Sequence, residues 1–91
     1  MPFLRTRLQV GDYEAWRPMF DQDAPGARRD AVHTRVLRNV DDPNEVFIEI
    51  EFATVDAARA ARDRLVASGV LDRFADKSGP TVVVDAAEIG R

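Results

Sequence analysis

The chain has 91 residues and no cysteine, which excludes disulfide bonds, thiolate nucleophiles, zinc ribbons and iron–sulfur clusters. It has a single histidine, His33, so no second imidazole is present to share a metal ion, and we predict no metal site. Lysine is almost absent as well, because 12 of the 13 basic residues are arginine and Lys77 is the exception. With 16 acidic residues the net charge is -3, which argues against general affinity for nucleic acid.

Long apolar runs are also missing. No segment approaches the length of a membrane span, and residues 1–5 lack the apolar stretch of a signal peptide, so we expect no membrane contact and a cytoplasmic location. The chain is 45% hydrophobic and 32% charged, as in folded globular proteins, and its length fits one domain over residues 1–91. Surface scaling gives only about 64% burial on folding, so a partner chain could add to the core.

Four segments alternate between apolar and polar residues, which is the pattern of half-buried β-strands. They are residues 3–10, 31–39, 45–52 and 81–85. The middle two are separated by a short turn at residues 41–44, whose aspartate and asparagine side chains can bond their own backbone. This spacing predicts an antiparallel hairpin.

Two further segments show helical patterning. Asp12 is predicted to cap the first helix, which carries its aromatic residues on one face. Pro18 lacks an N–H group, so either the first turn is distorted or the regular helix begins near Pro18. Thr54 is predicted to cap the second helix, where small alanines on the buried face allow close approach to a sheet.

The resulting order β-α-β-β-α-β predicts a ferredoxin-like α+β fold, in which two helices cover one face of a four-stranded antiparallel sheet. Alternation along the strands then assigns each apolar residue to a face. The predicted helix-side core consists of Leu4, Leu8, Val32, Val36, Val46, Ile48, Ile50, Val82 and Val84.

The second face of this sheet is a mixture of charges and large apolar groups. Its predicted members are Phe3, Arg5, Arg7, His33, Arg35, Leu37, Phe47, Glu49, Glu51 and Val83. A solvated sheet face rarely carries so many large apolar groups, and a dry core does not hold unpaired charges. We therefore predict a homodimer through this face with a partly polar cavity between the sheets. The alternative is a monomer with a salt-bridged wet face, and in either case Arg35 is expected to pair with Glu49 or Glu51.

Residues 12–21 (DYEAWRPMFD) and 35–46 (RVLRNVDDPNEV) resemble recurrent segments of small dimeric α+β barrel proteins related to the antibiotic-biosynthesis-monooxygenase superfamily, many of them uncharacterised or "cyclase-like". The similarity runs from residue 3 to about residue 85. It implies a dimer whose two sheets close into one barrel. It also implies a cofactor-independent monooxygenase, cyclase or isomerase acting on a small aromatic or polyketide-like molecule. The asparagine, tryptophan and histidine pattern of haem-degrading members is missing from residues 3–10 and 54–74, so haem degradation is not expected. The resemblance to the cofactor-free members implies that no cofactor is bound.

Candidate site residues follow from the second face and from the aromatic stripe. His33 is predicted to act as acid or base and Arg35, with Arg7 as the alternative, to stabilise an anion. A structural histidine and a structural ion pair are open alternatives. Aromatic stripes are commonly core. The arginines Arg5, Arg7 and Arg35 have a structural alternative as well, which is pairing with Glu49 and Glu51 between strands or between subunits. The predicted substrate-binding residues are Trp16, Tyr13, Arg7, Phe47 and Glu49. A non-catalytic binding or sensing module and a purely structural homodimer remain alternative functions.

Overall fold

The computed structural model describes residues 1–90, so Arg91, the end of the domain predicted over 1–91, lies outside the described residues. Its elements are β1 (Phe3–Gln9), α1 (Tyr13–Gln22), β2 (His33–Arg38), β3 (Glu45–Glu51), α2 (Val55–Ala67), a 3₁₀ helix (Val70–Arg73) and β4 (Lys77–Val83). The strands form one antiparallel sheet in the order β2-β3-β1-β4. This confirms the predicted ferredoxin-like α+β fold.

Both helices begin at the predicted caps. The Asp12 side chain accepts hydrogen bonds from two backbone N–H groups in the first turn of α1, and the Thr54 hydroxyl accepts one at the start of α2. Helix α1 runs through Pro18, so a start near that residue is the wrong alternative. The Asp12 cap and the bond from the Trp16 N–H to the Asp12 carbonyl (3.0 Å) establish the helix before the proline is reached.

The core lies between the helices and one face of the sheet. The register places Leu4 opposite Ile50 and Leu8 opposite Val46, so the inward side chains of β1 and β3 are direct neighbours. The side chain of Ala58 on α2 is fully buried, which brings this helix close to the sheet. The buried cluster consists of Leu4, Leu8, Trp16, Val46, Ile48, Ile50, Phe52, Ala58, Ala61 and Leu71.

Two residues predicted in the core lie outside it. Val32 is 57% exposed and Val84 is 59% exposed. Strand β2 begins only after Val32 and β4 ends before Val84, so both residues lie beyond the ends of the two edge strands, where the helices do not cover them. Strand β4 also starts earlier than the predicted residues 81–85, because its pairing with β1 continues past an irregularity beside Arg5.

The molecule is flat, with dimensions of 35 × 33 × 20 Å. The shortest dimension corresponds to one sheet and one layer of helices. The accessible surface of 5805 Å² exceeds the roughly 5,300 Å² expected for this mass. Within residues 1–90 no helix covers the second face of the sheet. Among the helices of these same residues, none has the length and apolar character needed to cross a membrane.

Candidate functional site

The centre of the uncovered sheet face holds an ion-pair cluster. Arg5 and Arg35 lie directly opposite Glu49 on the two neighbouring strands. The Arg5 Nε lies 3.1 Å from Glu49 Oε2, and the Arg35 Nη2 donates a hydrogen bond to Glu49 Oε1. The pairing of Arg35 with Glu49 is therefore confirmed. Two guanidinium groups share one carboxylate, which leaves a net positive charge at the centre of this face.

Arg7, on the same face, has acidic partners other than those predicted. Its Nε donates to Glu45 Oε2 at 2.6 Å and its Nη1 donates to Asp76 Oδ1 at 2.8 Å. Within the protomer, pairing of Arg7 with Glu49 or Glu51 is therefore wrong. Glu45 is its diagonal neighbour on β3, and Asp76 approaches from the segment that precedes β4.

These contacts change the acid–base properties of the groups involved. Hydrogen bonds from Asn39 and Arg7 lower the pKa of Glu45, and the hydrogen bond from Arg7 lowers the pKa of Asp76. The carboxylates of Asp76 and Glu45 raise the pKa of Arg7 above its already high ordinary value, and the hydrogen bond to Asp76 has the larger effect. Within residues 1–90 no group of three or more histidine, aspartate or glutamate side chains is positioned to hold a metal ion.

His33 is exposed at the start of β2 and lies opposite Glu51 on β3. Two open grooves cross the same face. One of about 280 Å³ is lined by Arg7 and Phe47, and one of about 270 Å³ is lined by Arg35 and Glu49. The structure thus brings most of the predicted site residues to a single sheet face: Arg7, His33, Arg35, Phe47 and Glu49.

The two aromatic site residues lie on the other side of the sheet. Trp16 is buried, with its ring centroid 4.9 Å from that of Phe20 and 5.9 Å from that of Tyr13. The Tyr13 ring lies under the Arg38 guanidinium at 3.9 Å, and its hydroxyl accepts a hydrogen bond from Arg17. Tyr13 is therefore packed among surface arginines, whereas Trp16 faces inward.

Trp16 lines an apolar cavity of about 90 Å³ between the helices and the sheet. A single water needs only about 10–15 Å³ on this measure, so the cavity has room for a small organic group. It is partly open to solvent, so an aromatic ring that is larger than the cavity can enter it in part and extend outward. Its walls are mainly aromatic and aliphatic and include Phe20, Ile48 and Phe74. Trp16 therefore belongs to the buried core and also lines this cavity, and its role in substrate binding stays a prediction.

Sequence reasoning missed the charged groups that line this cavity, which are Asp23, Arg28 and Arg73. Arg28 lies in the irregular segment between α1 and β2, where no periodicity assigns a direction to a side chain. Arg73 ends the short 3₁₀ helix Val70–Arg73, and the apolar residues beside it in the sequence do not indicate where its own side chain lies.

Arg28 joins the end of α1 to the cavity wall. Its Nη2 donates a hydrogen bond to the Phe20 carbonyl, and its guanidinium carbon lies 4.3 Å from the centre of the Phe20 ring. Its Nε is buried without a hydrogen-bond partner among residues 1–90, and the nearest carboxylate oxygen, Asp23 Oδ1, is 3.7 Å away. A cation held beside an apolar cavity can stabilise a negative charge that develops inside it.

Comparisons with known proteins support the architecture. No family model and no curated protein matches the chain. Among solved structures, the chain is similar to a Deinococcus radiodurans protein named a "putative antibiotic biosynthesis monooxygenase", with a TM-score of 0.69 and 15% identity. The alignment covers 100% of this chain and 98% of that one. The two proteins share a fold. Because one fold hosts many activities, the shared fold does not identify a function, and function depends on the residues of the site.

Proposed function

We propose that this protein binds a small aromatic or polyketide-like molecule beside Trp16 and transforms it without a bound cofactor, by oxygenation, cyclisation or isomerisation. The observation that carries the proposal is the apolar cavity with aromatic walls and a cationic side. Ligand sites in proteins have this character, being largely apolar with a few convergent polar groups. The name of the Deinococcus radiodurans protein, which shares the fold, supports the monooxygenase class in particular.

The three reaction types have one chemical step in common, which is transfer of a proton from a phenol, or from a carbon next to a carbonyl, to a base. In the helix-side cavity that base is Asp23, the one carboxylate of the lining. The product of that step is an anion, and a nearby guanidinium lowers its energy. Arg28 is the cavity residue suited to this role, because its Nε lacks a hydrogen-bond partner among the described residues.

A second candidate site is favoured by the sheet face. We propose that two copies associate through it, because it combines half-buried Phe3, Phe47 and Val83 with a central ion-pair cluster and has no helical cover. Association would close the open groove beside Arg35 into a partly polar cavity. His33, two residues before Arg35 on the same face of β2, would then act as acid or base at the edge of that cavity, with Arg35 as the anion stabiliser.

The shared proton-transfer step provides the test. The probe is 2-tetralone, which has an aromatic ring and an acidic carbon next to a carbonyl. We expect the protein to accelerate exchange of that proton for deuterium in D₂O, followed by NMR, above the rate without protein. Oxygen uptake in the same samples distinguishes oxygenation from cyclisation or isomerisation.

Three variants locate the step. Arg28→Gln tests the helix-side cavity, His33→Gln tests the sheet face, and Arg59→Gln on the exposed side of α2 is the matched control. Loss of exchange in Arg28→Gln alone supports the cavity, and loss in His33→Gln alone supports the sheet face. Binding of 2-tetralone is followed by the NMR signal of the Trp16 indole N–H group. If 2-tetralone shifts this signal but its acidic proton exchanges only at the background rate, the protein is a binding or sensing module and the enzyme proposal is wrong.

A further inference from the structure

We infer that the cavity beside Trp16 selects a ligand carrying one negative charge next to an apolar ring, and that Arg28 and Arg73 recognise that charge. The inference rests on the proposed function and narrows its substrate to aromatic carboxylates and related monoanions.

The first argument is the charge of the cavity lining. One carboxylate, Asp23, and two guanidinium groups, Arg28 and Arg73, line a cavity that is otherwise apolar except for Thr6. The lining therefore carries one net positive charge, although the whole chain carries a net charge of -3. A single excess cation beside an apolar wall matches a monoanion better than a neutral molecule or a dianion.

The second argument is that Arg73 has no acidic partner within residues 1–90. It lies at the end of the 3₁₀ helix, exposed, and none of the ion pairs in this part of the chain includes it. Its contact across the cavity rim is with a soft acceptor, the Met19 sulfur on α1, at 3.9 Å from Nη1. A carboxylate would be a stronger partner for this guanidinium than a thioether.

The third argument concerns Arg28. Its Nη2 is engaged by the Phe20 carbonyl, but its Nε is buried and unpartnered in the described residues. A buried donor without an acceptor is unfavourable by about 1–3 kcal/mol, so a rotation of the Arg28 side chain that brings Nε to an acceptor on a ligand is favoured. The 3.7 Å gap between Nε and Asp23 Oδ1 shows that the neighbouring carboxylate does not fill this role.

Benzoate and benzamide form a matched pair of probes, since they have nearly the same shape and differ in charge. The indole N–H signal of Trp16 reports cavity occupancy, because Trp16 is the only tryptophan in the chain. We expect benzoate to bind at least about fivefold more tightly than benzamide, which is within the range of a charge-assisted hydrogen bond. Raising the salt concentration should weaken the binding of benzoate and leave the binding of benzamide unchanged.

Two variants assign the charge recognition. Arg73→Gln should bring the ratio of the dissociation constants of benzamide and benzoate close to one. Arg59→Gln also removes one arginine charge, but at a position away from the cavity, and should leave this ratio unchanged. Arg28→Gln should also reduce the ratio. Because Arg28 also binds the last turn of α1, its thermal unfolding is measured in parallel, and the folded Arg73→Gln variant keeps the test independent of that result.

The outcomes separate this inference from the proposed function. If both probes shift the Trp16 signal with equal affinity, charge selection is wrong and the cavity remains a binding site. If a benzoate preference survives both arginine variants, the assignment to Arg28 and Arg73 is wrong. If neither probe shifts the Trp16 signal, the cavity does not bind aromatic rings, and both the inference and the proposal on which it rests are overturned.

Discussion

Trp16 and His33 lie on opposite faces of the same sheet. Trp16 belongs to the buried cluster under the helices, whereas His33 is exposed on the face that carries Arg35 and Glu49. The thickness of the sheet separates them, so one protomer cannot use both residues in a single pocket. The predicted site residues therefore form two groups, and a ligand can be assigned to one of them experimentally.

The first prediction uses the fact that the chain has one tryptophan and one histidine. Saturating benzoate should shift the Trp16 indole N–H signal in a ¹⁵N spectrum and leave the ring C–H signals of His33 within experimental error. The physical reason is that a ring bound in the helix-side cavity lies behind the sheet from His33. Coincident shifts of both signals with one dissociation constant would contradict a separate helix-side site.

The fold could be predicted because its signals are local. Alternation with a period of two assigned the strand faces, and hydrogen-bonding side chains such as Asp12 and Thr54 marked the helix starts. The short turn at residues 41–44 then predicted the hairpin and limited the partner of Arg35 to Glu49 or Glu51, and the observed register selects Glu49. These features depend on residues near each other in sequence or on one hairpin.

The missed features depend on irregular segments. The Arg7 hydrogen bond to Asp76 joins residues 69 positions apart, and Asp76 lies outside any strand. Arg28 reaches the Phe20 carbonyl because the chain turns back after α1, with a left-handed Asp23 and a positive φ at Gly26. No sequence period encodes such turns, so the cationic lining of the cavity could not be derived from the sequence.

The second prediction concerns Glu49→Gln and the proposed dimer. In the wild-type chain the Glu49 carboxylate pairs with the guanidinium groups of both Arg5 and Arg35, and the Glu49 side chain is only 15% exposed. Without it, two cations would face a partner sheet uncompensated, which is strongly unfavourable in a buried interface. We expect the dimer dissociation constant to rise at least about tenfold, measured by sedimentation velocity over a concentration series.

The control for this experiment is Glu14→Gln, which makes the same charge change on the exposed surface of α1. It should leave the dissociation constant unchanged. A wild-type chain that stays monomeric at high concentration, or a Glu49→Gln variant that dimerises as tightly as wild type, would show that the sheet face is not the interface.

The third prediction is a pH dependence of stability. The pKa values of Glu45 and Asp76 in the folded chain lie below their ordinary values of 4.5 and 3.8, because of hydrogen bonds from Asn39 and Arg7 to the former and from Arg7 to the latter. Their contribution to stability is therefore complete above the ordinary values and is lost as the pH falls through the lowered ones. The free energy of unfolding should decrease as the pH is lowered below 4.5.

Urea unfolding at a series of pH values measures this effect. Glu45→Gln removes one of the two titrating groups, so its stability should fall less steeply over the acid range than that of wild type. Glu88→Gln, at an exposed position outside the secondary structure, is the control and should follow the wild-type slope. Parallel curves for wild type and Glu45→Gln would mean that the contacts of Glu45 do not stabilise its ionised form.

The fourth prediction concerns the close approach of β4 to β1. Gly79 has a φ of 86°, and a Cβ at this position would lie 2.6 Å from the Arg5 carbonyl oxygen. Gly11 has a similar φ of 78° but no atom within 4 Å of such a Cβ, so it provides a matched comparison. Gly11→Ala should cost about 1 kcal/mol from backbone strain alone, and Gly79→Ala should cost roughly 1–3 kcal/mol more from the backbone clash.

Urea unfolding, analysed with the same m-value for both variants, would measure the difference between their free energies of unfolding. The Arg5 carbonyl belongs to the strand that pairs with both β3 and β4, so it cannot move away without disturbing either pairing. This is why the clash should appear as lost stability rather than as a local adjustment. Equal losses in the two alanine variants would show that β4 can shift away from Arg5, and the pairing of these strands would then be looser than the structure has it.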